Sequence, residues 1–211
     1  MKNQWPSFVE EKQLRSQGYT LIAGVDEVGR GALIGPVVAA AVIMPKTIKA
    51  GWRQKVRDSK QLSPATREML YEHIIDTGIA VGTGEASHEL IDRQGIVKAT
   101  CIAMKSAIEM LATQPQFVII DYLKLPEISI PQKGITNGDS LCFSIACASI
   151  IAKVTRDRMI VQMDGVYPGY GLAKHKGYGT KEHLDCLQRM GPCPEHRRTF
   201  RPVSEVVKRW I

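Results

Sequence analysis

Hydrophobic and polar positions follow two rhythms along this chain, and the changes of rhythm mark its elements. Residues 21–28 are apolar enough for a buried strand, although Asp26 and Glu27 interrupt the run near its end. A Gly29-Arg30-Gly31 turn follows. The apolar run 37–44, closed by Pro45, then predicts the second arm of a hairpin. Ser63-Pro64 predicts a helix start, because serine caps free N–H groups, proline suits the first helical position, and Glu68 falls in the early turns. Residues 79–85 predict a third strand, 96–111 a helix ending before Pro115, and Phe117–Asp121 a short strand closed by a carboxylate. Residues 141–163 have helical periodicity, apolar in the first half and charged later. From Gly165 the chain is rich in Gly, Pro, Lys, Arg and His, which predicts a loop-and-helix cap rather than a second domain. Interleaved strands and helices give an α/β class with a mixed sheet: one domain over 1–211, with 165–211 as a basic extension.

Composition narrows the function classes. The 211 residues are 44% hydrophobic, which is globular rather than disordered. The longest apolar runs, 37–44 and 145–152, fall far short of the roughly 20 residues that a membrane helix needs. The opening MKNQWPSFVEEK has no apolar core of a signal peptide, and Glu10 and Glu11 argue against a transit peptide. Cysteines at 101, 142, 147, 186 and 193 are odd in number and form no CxxC pair. They predict free thiols in a reducing, cytoplasmic setting rather than a disulfide or zinc framework. The formal net charge of +7 is unevenly placed. Residues 1–150 hold 16 basic and 15 acidic side chains, whereas 151–211 hold 12 and 6. A basic third suggests a polyanion partner, nucleic acid first and anionic membrane second; a merely solubilising surface explains the charge as well.

Three acidic positions stand at element ends in apolar surroundings: the Asp26-Glu27 pair, Asp121, and Asp139 before an apolar helical run. A strand-end turn accounts for Asp121 and a helix N-cap for Asp139, but adjacent carboxylates inside a strand have no comparable structural reason. Alternation turns the two to opposite faces. Carboxylates gathered at one end of a sheet suit Mg²⁺ or Mn²⁺, hard cations that serve phosphodiester cleavage. Asp157, between Arg156 and Arg158, lies about 27 Å from Asp139 along an unbroken helix and reads as a structural ion pair. His175, His183 and His196 read as surface or hydrogen-bonding residues.

The GRG turn lets backbone approach a ligand, with Arg30 able to meet phosphate. A dinucleotide fingerprint fails on spacing: GRGALIG has one residue too many, and a strand follows where a helix is required. Residues 167–180, YPGYGLAKHKGYGT, place Tyr167, Tyr170 and Tyr178 among Lys174, His175 and Lys176. Such a stretch can stack on sugar or base while neutralising phosphate, or simply anchor a loop.

These pieces, in order, resemble a family. GVDEVGRG (24–31), DSKQLS (58–63), IID (119–121), GDSLCFSIACASIIAKVTRDR (138–158), HKGYGT (175–180) and HRRTF (196–200) are similar to the motifs of ribonuclease HII. The resemblance implies a ribonuclease H-like mixed five-stranded sheet flanked by helices, with a C-terminal helical extension. It implies an endoribonuclease that hydrolyses the RNA strand of RNA–DNA hybrids and cuts at single ribonucleotides in duplex DNA. The ends expected are 5′-phosphate and 3′-hydroxyl. It places a catalytic, metal-binding carboxylate set on Asp26, Glu27, Asp121 and Asp139, with Mg²⁺ or Mn²⁺. It places 2′-hydroxyl recognition on Gly29, Arg30 and Gly31, the junction tyrosine on Tyr178, and further substrate contacts on Lys60, Lys176, His196 and Arg197. A monomer is expected. The GRG turn and the short stretch before the first strand separate the chain from ribonuclease HIII. Two departures are that Tyr122 stands where many relatives carry Gly, and Cys193 where a small hydroxyl residue is usual. A non-catalytic nucleic-acid-binding module is the rival reading; it explains the basic tail but gives the strand-end acids no purpose.

Overall fold

The computed structural model describes residues 5–210. Five strands form a single mixed sheet: β1 (Ile22–Val28), β2 (Val37–Ile43), β3 (Ala80–Ala86), β4 (Phe117–Asp121) and β5 (Gln132–Ile135), in the order β3-β2-β1-β4-β5. The three long strands pair antiparallel, as the hairpin pattern predicts, whereas β4 and β5 run parallel to β1. A parallel pair needs a crossover, and the helices between β3 and β4 supply it. Nine α-helices flank the sheet among the described residues: α1 (Val9–Ser16), α2 (Pro64–Thr77), α3 (His88–Gln94), α4 (Ile96–Glu109), α5 (Gly138–Leu141), α6 (Phe143–Val166), α7 (Leu172–His175), α8 (Lys181–Met190) and α9 (Arg201–Trp210). As the sequence suggests, Ser63 caps α2 by accepting from the Thr66 N–H at 3.2 Å, and Pro64 opens it.

Strand alternation splits the core in two. Ala23, Val25, Val118 and Ile120 pack with Ala99, Ala103 and Ala107 of α4 on one face. Ala40 and Val42 pack with Ala146, Ile150 and Val154 of α6 on the other. The close approach of α6 to β1 depends on Gly24, where an added Cβ would lie 2.2 Å from the Ser144 carbonyl carbon.

The predicted helix over 141–163 is two helices. Cys142 takes an extended conformation (φ −110°, ψ 128°), is bridged to Ser7, and separates α5 from α6. Its apolar neighbours hide the break, because the hydrophobic pattern runs through it unchanged. The basic extension packs on the segment after the GRG turn. Ile34 sits in a small core with Ile160, Tyr170, Leu172, Cys186 and Cys193; Leu33 sits in another with Leu187, Val203 and Val206. No helix among the described residues is long and apolar enough to cross a membrane, and all five cysteines are free.

Candidate active site at the carboxyl ends of the central strands

The parallel register of β1 and β4 pairs Val25 with Ile120. One residue further on, Asp26 and Asp121 stand side by side at the carboxyl ends of both strands, a strand spacing of about 4.8 Å apart at the backbone. Asp26 lies opposite Ala40, on the α6 face, and Glu27 opposite Ala39, on the α4 face. The expected divergence of the acidic pair is therefore present. Asp26 Oδ1 accepts the Glu27 N–H at 2.8 Å, and Glu27 pairs with Arg30 at 3.5 Å. The other Glu27 oxygen, Oε2, is buried without a partner.

Asp121 Oδ1 accepts the Gly138 N–H at 2.7 Å, which ties β4 to the start of α5. Asp139 follows inside that helix, 5% exposed, and its Oδ2 accepts from Lys60 Nζ at 3.4 Å. Asn137, in a left-handed conformation, occupies the cap position that the sequence alone offered to Asp139. Asp139 is thus left free to face the cluster. Lys60 reaches in from the short helical turn Ser59–Gln61 with its side chain 77% exposed.

The electrostatics of the cluster are those of anions held too close together. Burial pushes the Asp26 carboxyl well above the usual range, and the charges of Glu27 and Asp121 push it further; Ser149 and the Glu27 N–H oppose them. Burial raises Glu27 against the pull of Arg30. Burial and Asp139 raise Asp121 against the Gly138 N–H. At Lys60, burial works against the charge, yet Asp139 and Asp58 hold the amine protonated above its ordinary range. Two cations at the rim do not neutralise four carboxylates, and a hard divalent ion is what such an all-oxygen donor set accepts. Among the described residues no three such groups already converge on a point close enough to hold an ion by themselves.

The GRG segment is a β-turn, closed by the Ala32 N–H to Gly29 O at 3.3 Å. Gly29 has φ +91°, and a Cβ there would strike Arg156 Nε at 2.2 Å; Gly31 has ordinary backbone and open space. The fold therefore demands glycine at 29 and not at 31. Tyr178 borders the turn through a bridge to Ala32, and its ring lies 5.6 Å from the Arg156 guanidinium and 5.9 Å from Lys153 Nζ.

Two expected substrate contacts are corrected by burial. His196 and Arg197 are both 0% exposed. Arg197 is consumed by carbonyls of the turn, donating to Arg30 O at 3.0 Å, Ala32 O at 2.7 Å and Gly35 O at 2.9 Å. Burial, with Arg156 nearby, pushes its pKa down to about 9. Arg156, a residue that sequence reasoning did not single out, donates to the carbonyls of Ile34, Pro36 and Lys176. Lys176 stays at the surface loop, with its amine turned back to Ala173 O. Lys174 faces Glu182 at 2.6 Å rather than standing free for phosphate. Asp157 is held by Lys153 at 2.8 Å and Arg67 at 3.9 Å, the structural role expected of it.

His196 instead ends a buried relay. His183 Nδ1 lies 3.0 Å from Tyr178 O, which can only accept, so that nitrogen carries the proton. Neutral His183 then presents a bare Nε2 to His196 Nε2 at 3.1 Å, so His196 donates there. Its Nδ1 is left to accept the Cys193 N–H at 3.0 Å. Every tautomer follows from one carbonyl. Burial lowers both rings to about 4, helped at His196 by the other histidine.

Comparison with known proteins decides the family. The family model described as Ribonuclease HII matches residues 23–203. The chain belongs to the ribonuclease HII family. It is 58% identical over 202 residues to the ribonuclease HII of Dehalococcoides mccartyi strain BAV1, covering 96% of this chain and 95% of that one. It is 50% identical over 204 residues to that of Geotalea uraniireducens, covering 96% and 93%. Among solved structures it is similar to ribonuclease H2 from Pyrococcus horikoshii OT3, with a TM-score of 0.75 and 26% identity over 90% of this chain and 98% of that one. Membership makes the chain a ribonuclease of the H type, a hydrolase acting on RNA–DNA hybrids.

Proposed function

We propose that this ribonuclease HII family member cuts both the RNA strand of hybrids and single ribonucleotides embedded in duplex DNA, by divalent-metal-assisted hydrolysis. The observation that carries the metal reading is the unneutralised cluster of Asp26, Glu27, Asp121 and Asp139, with a buried Glu27 oxygen left unpartnered. Asp26 and Asp121 would hold the principal Mg²⁺ or Mn²⁺, and Glu27 and Asp139 would complete the site. When bound, such ions activate water and stabilise charge on the leaving oxygen. Water's oxygen becomes bonded to phosphorus as the P–O3′ bond breaks, leaving 5′-phosphate and, once the oxygen takes a proton, 3′-hydroxyl.

The protein's own groups supply selection and orientation. A ribonucleotide differs from its DNA neighbours in the 2′-hydroxyl, and the GRG turn offers backbone groups to it at Gly31, where nothing crowds the approach. Tyr178 packs on the adjoining sugar, Lys60 meets phosphate at the rim, and Arg30 competes for Glu27 until substrate arrives. A DNA duplex with one ribonucleotide is the test substrate, with cut position and end groups mapped in Mg²⁺, Mn²⁺ and EDTA. Asp121→Asn should abolish cutting with the fold intact. Tyr178→Ala should lose junction cutting more than cutting of long hybrids. Cleavage undiminished in EDTA would sink the metal reading.

A further inference from the structure

Tyr122 follows Asp121 directly, and its backbone lies in the left-handed region with φ 61°. The Leu123 N–H reaches back to Asp121 O at 2.7 Å, so Tyr122 is the centre of a γ-turn of the strained, positive-φ kind. That geometry crowds Cβ against the next carbonyl, a strain that glycine avoids. Among the described residues, three that are not glycine take positive φ: Tyr122, Asn137 and Lys176. All three border the proposed site. Asn137 precedes the Gly138 that binds Asp121, and Lys176 lies two residues before Tyr178. Backbone strain clusters at functional sites, where the surrounding structure holds it in place.

Of the three, tyrosine carries the largest side chain, and it stands exposed. The turn is fixed by backbone bonds, including the Tyr122 N–H to Ile135 O at 3.0 Å, while the ring stands 68% exposed. The ring therefore adds little to packing, and the strain is unrewarded within the folded chain. Lys124, two residues on in the sequence, is exposed as well and adds a cation to the same short loop. An exposed aromatic with a neighbouring cation is the pairing that grips nucleic acid. In an intact duplex the base faces are covered by their neighbours, so a ring at the surface meets sugar faces and phosphate oxygens.

We propose that Tyr122 is a substrate-contacting residue, its ring laid against the sugar–phosphate backbone of the bound duplex beside Asp121 and its hydroxyl turned to a phosphate oxygen. This rests on the reading of the carboxylate cluster as the cleavage site. Tyr122→Gly, Tyr122→Phe and the unchanged chain are compared in three measurements. These are thermal unfolding, fluorescence anisotropy on a labelled all-DNA duplex in Mg²⁺, and steady-state cutting of the same duplex carrying one ribonucleotide. Glycine should raise the unfolding midpoint by about 2–4 °C as the strain is released. It should nevertheless weaken duplex binding about five-fold or more, with KM rising in proportion and the loss falling on KM rather than kcat. Phenylalanine should keep the midpoint and most of the binding. Binding and KM within two-fold of the unchanged chain in Tyr122→Gly would overturn the proposal. An unchanged chain that binds but never cuts would instead defeat the cleavage reading, while the anisotropy comparison would still decide the role of Tyr122.

Discussion

Mild acid should loosen this fold through two buried rings. Each histidine titrates near 6.5 when unfolded, and the folded rings titrate at about 4. Their folded pKa is lowered, so between those values the unfolded chain binds more protons than the native one. The stability that the neutral relay supplies is complete above the unfolded pKa and is lost as pH falls. From about pH 7.5 to pH 5 the linkage amounts to about 2 kcal/mol per ring. The structural reason is specific. A proton on His183 Nε2 would face the N–H of His196 across 3.1 Å, two donors with no acceptor between them. Asp26, Glu27 and Asp121 act in the opposite sense, because their raised pKa values make the charged cluster a burden that protonation relieves. A single pH curve therefore mixes both effects. Comparison of the wild type with His183→Phe/His196→Phe separates them, since the double variant keeps flat rings and removes the histidine titration, while the hydrogen bonds lost at Tyr178 O and the Cys193 N–H add an offset that does not vary with pH. Urea unfolding in EDTA should show a stability gap at about pH 7.5 that shrinks, or reverses, by about 4 kcal/mol at pH 5. A gap that stays constant across that range would refute the neutral relay.

Three further outcomes follow from the same geometry. Asp26→Asn keeps the acceptor for the Glu27 N–H but removes a charge that burial and two carboxylates oppose, so it should lose cutting by 100-fold or more yet unfold about 1–2 kcal/mol harder in EDTA at neutral pH. Gly24→Ala should destabilise by about 3 kcal/mol or more in urea unfolding, because its Cβ would lie against helix backbone. Gly31→Ala should leave the unfolding midpoint unchanged within error and lower the preference for a ribonucleotide over DNA, measured as the ratio of kcat/KM values; an unchanged ratio would remove the turn from recognition.

The parts of the site that were legible in the sequence are those where chemistry contradicts its surroundings. Carboxylates inside the strand-like run 21–28 violate the apolar pattern, and the structure puts Asp26 beside Asp121 at the strand ends. The pattern was silent where residues agree with their neighbours. Cys142 breaks a helix without breaking hydrophobicity, and Gln132–Ile135 joins the sheet with scarcely any apolar period. Asp139 reads as a cap because it precedes a helical run, yet Asn137 takes that place through a left-handed backbone, a conformation that asparagine tolerates better than most residues. His196 and Arg197 look solvent-facing by composition and are both buried: Arg197 by hydrogen bonds to Arg30, Ala32 and Gly35, more than 160 residues away, and His196 against His183 and Cys193 within the extension. Polar residues that face inward for a long-range reason carry no local signature.

The basic tail gains a different meaning from those bonds. The link between β1 and β2 leaves the carbonyls of Arg30, Ala32, Ile34, Gly35 and Pro36 turned inward, away from any ladder, and buried carbonyls need donors. Arg156 and Arg197 supply them from two other parts of the chain, and among the described residues neither guanidinium has a carboxylate in salt-bridge range. Two buried cations beneath one turn repel each other, and the pKa of Arg197 falls for that reason as well as for burial. The charges are spread over carbonyl dipoles, except at Arg197 Nη2, which is buried without a partner. Substrate phosphate should relieve that repulsion, so duplex binding and the stability of the turn are coupled. Much of the surface charge nearby is already matched, with Lys174 against Glu182, Arg158 against Glu68 and Glu72, and Arg201 against Glu205. Residues 151–211 are basic partly because two of their arginines hold the segment from Arg30 to Pro36 from behind. Lys181 and Arg198 stand exposed in the same region.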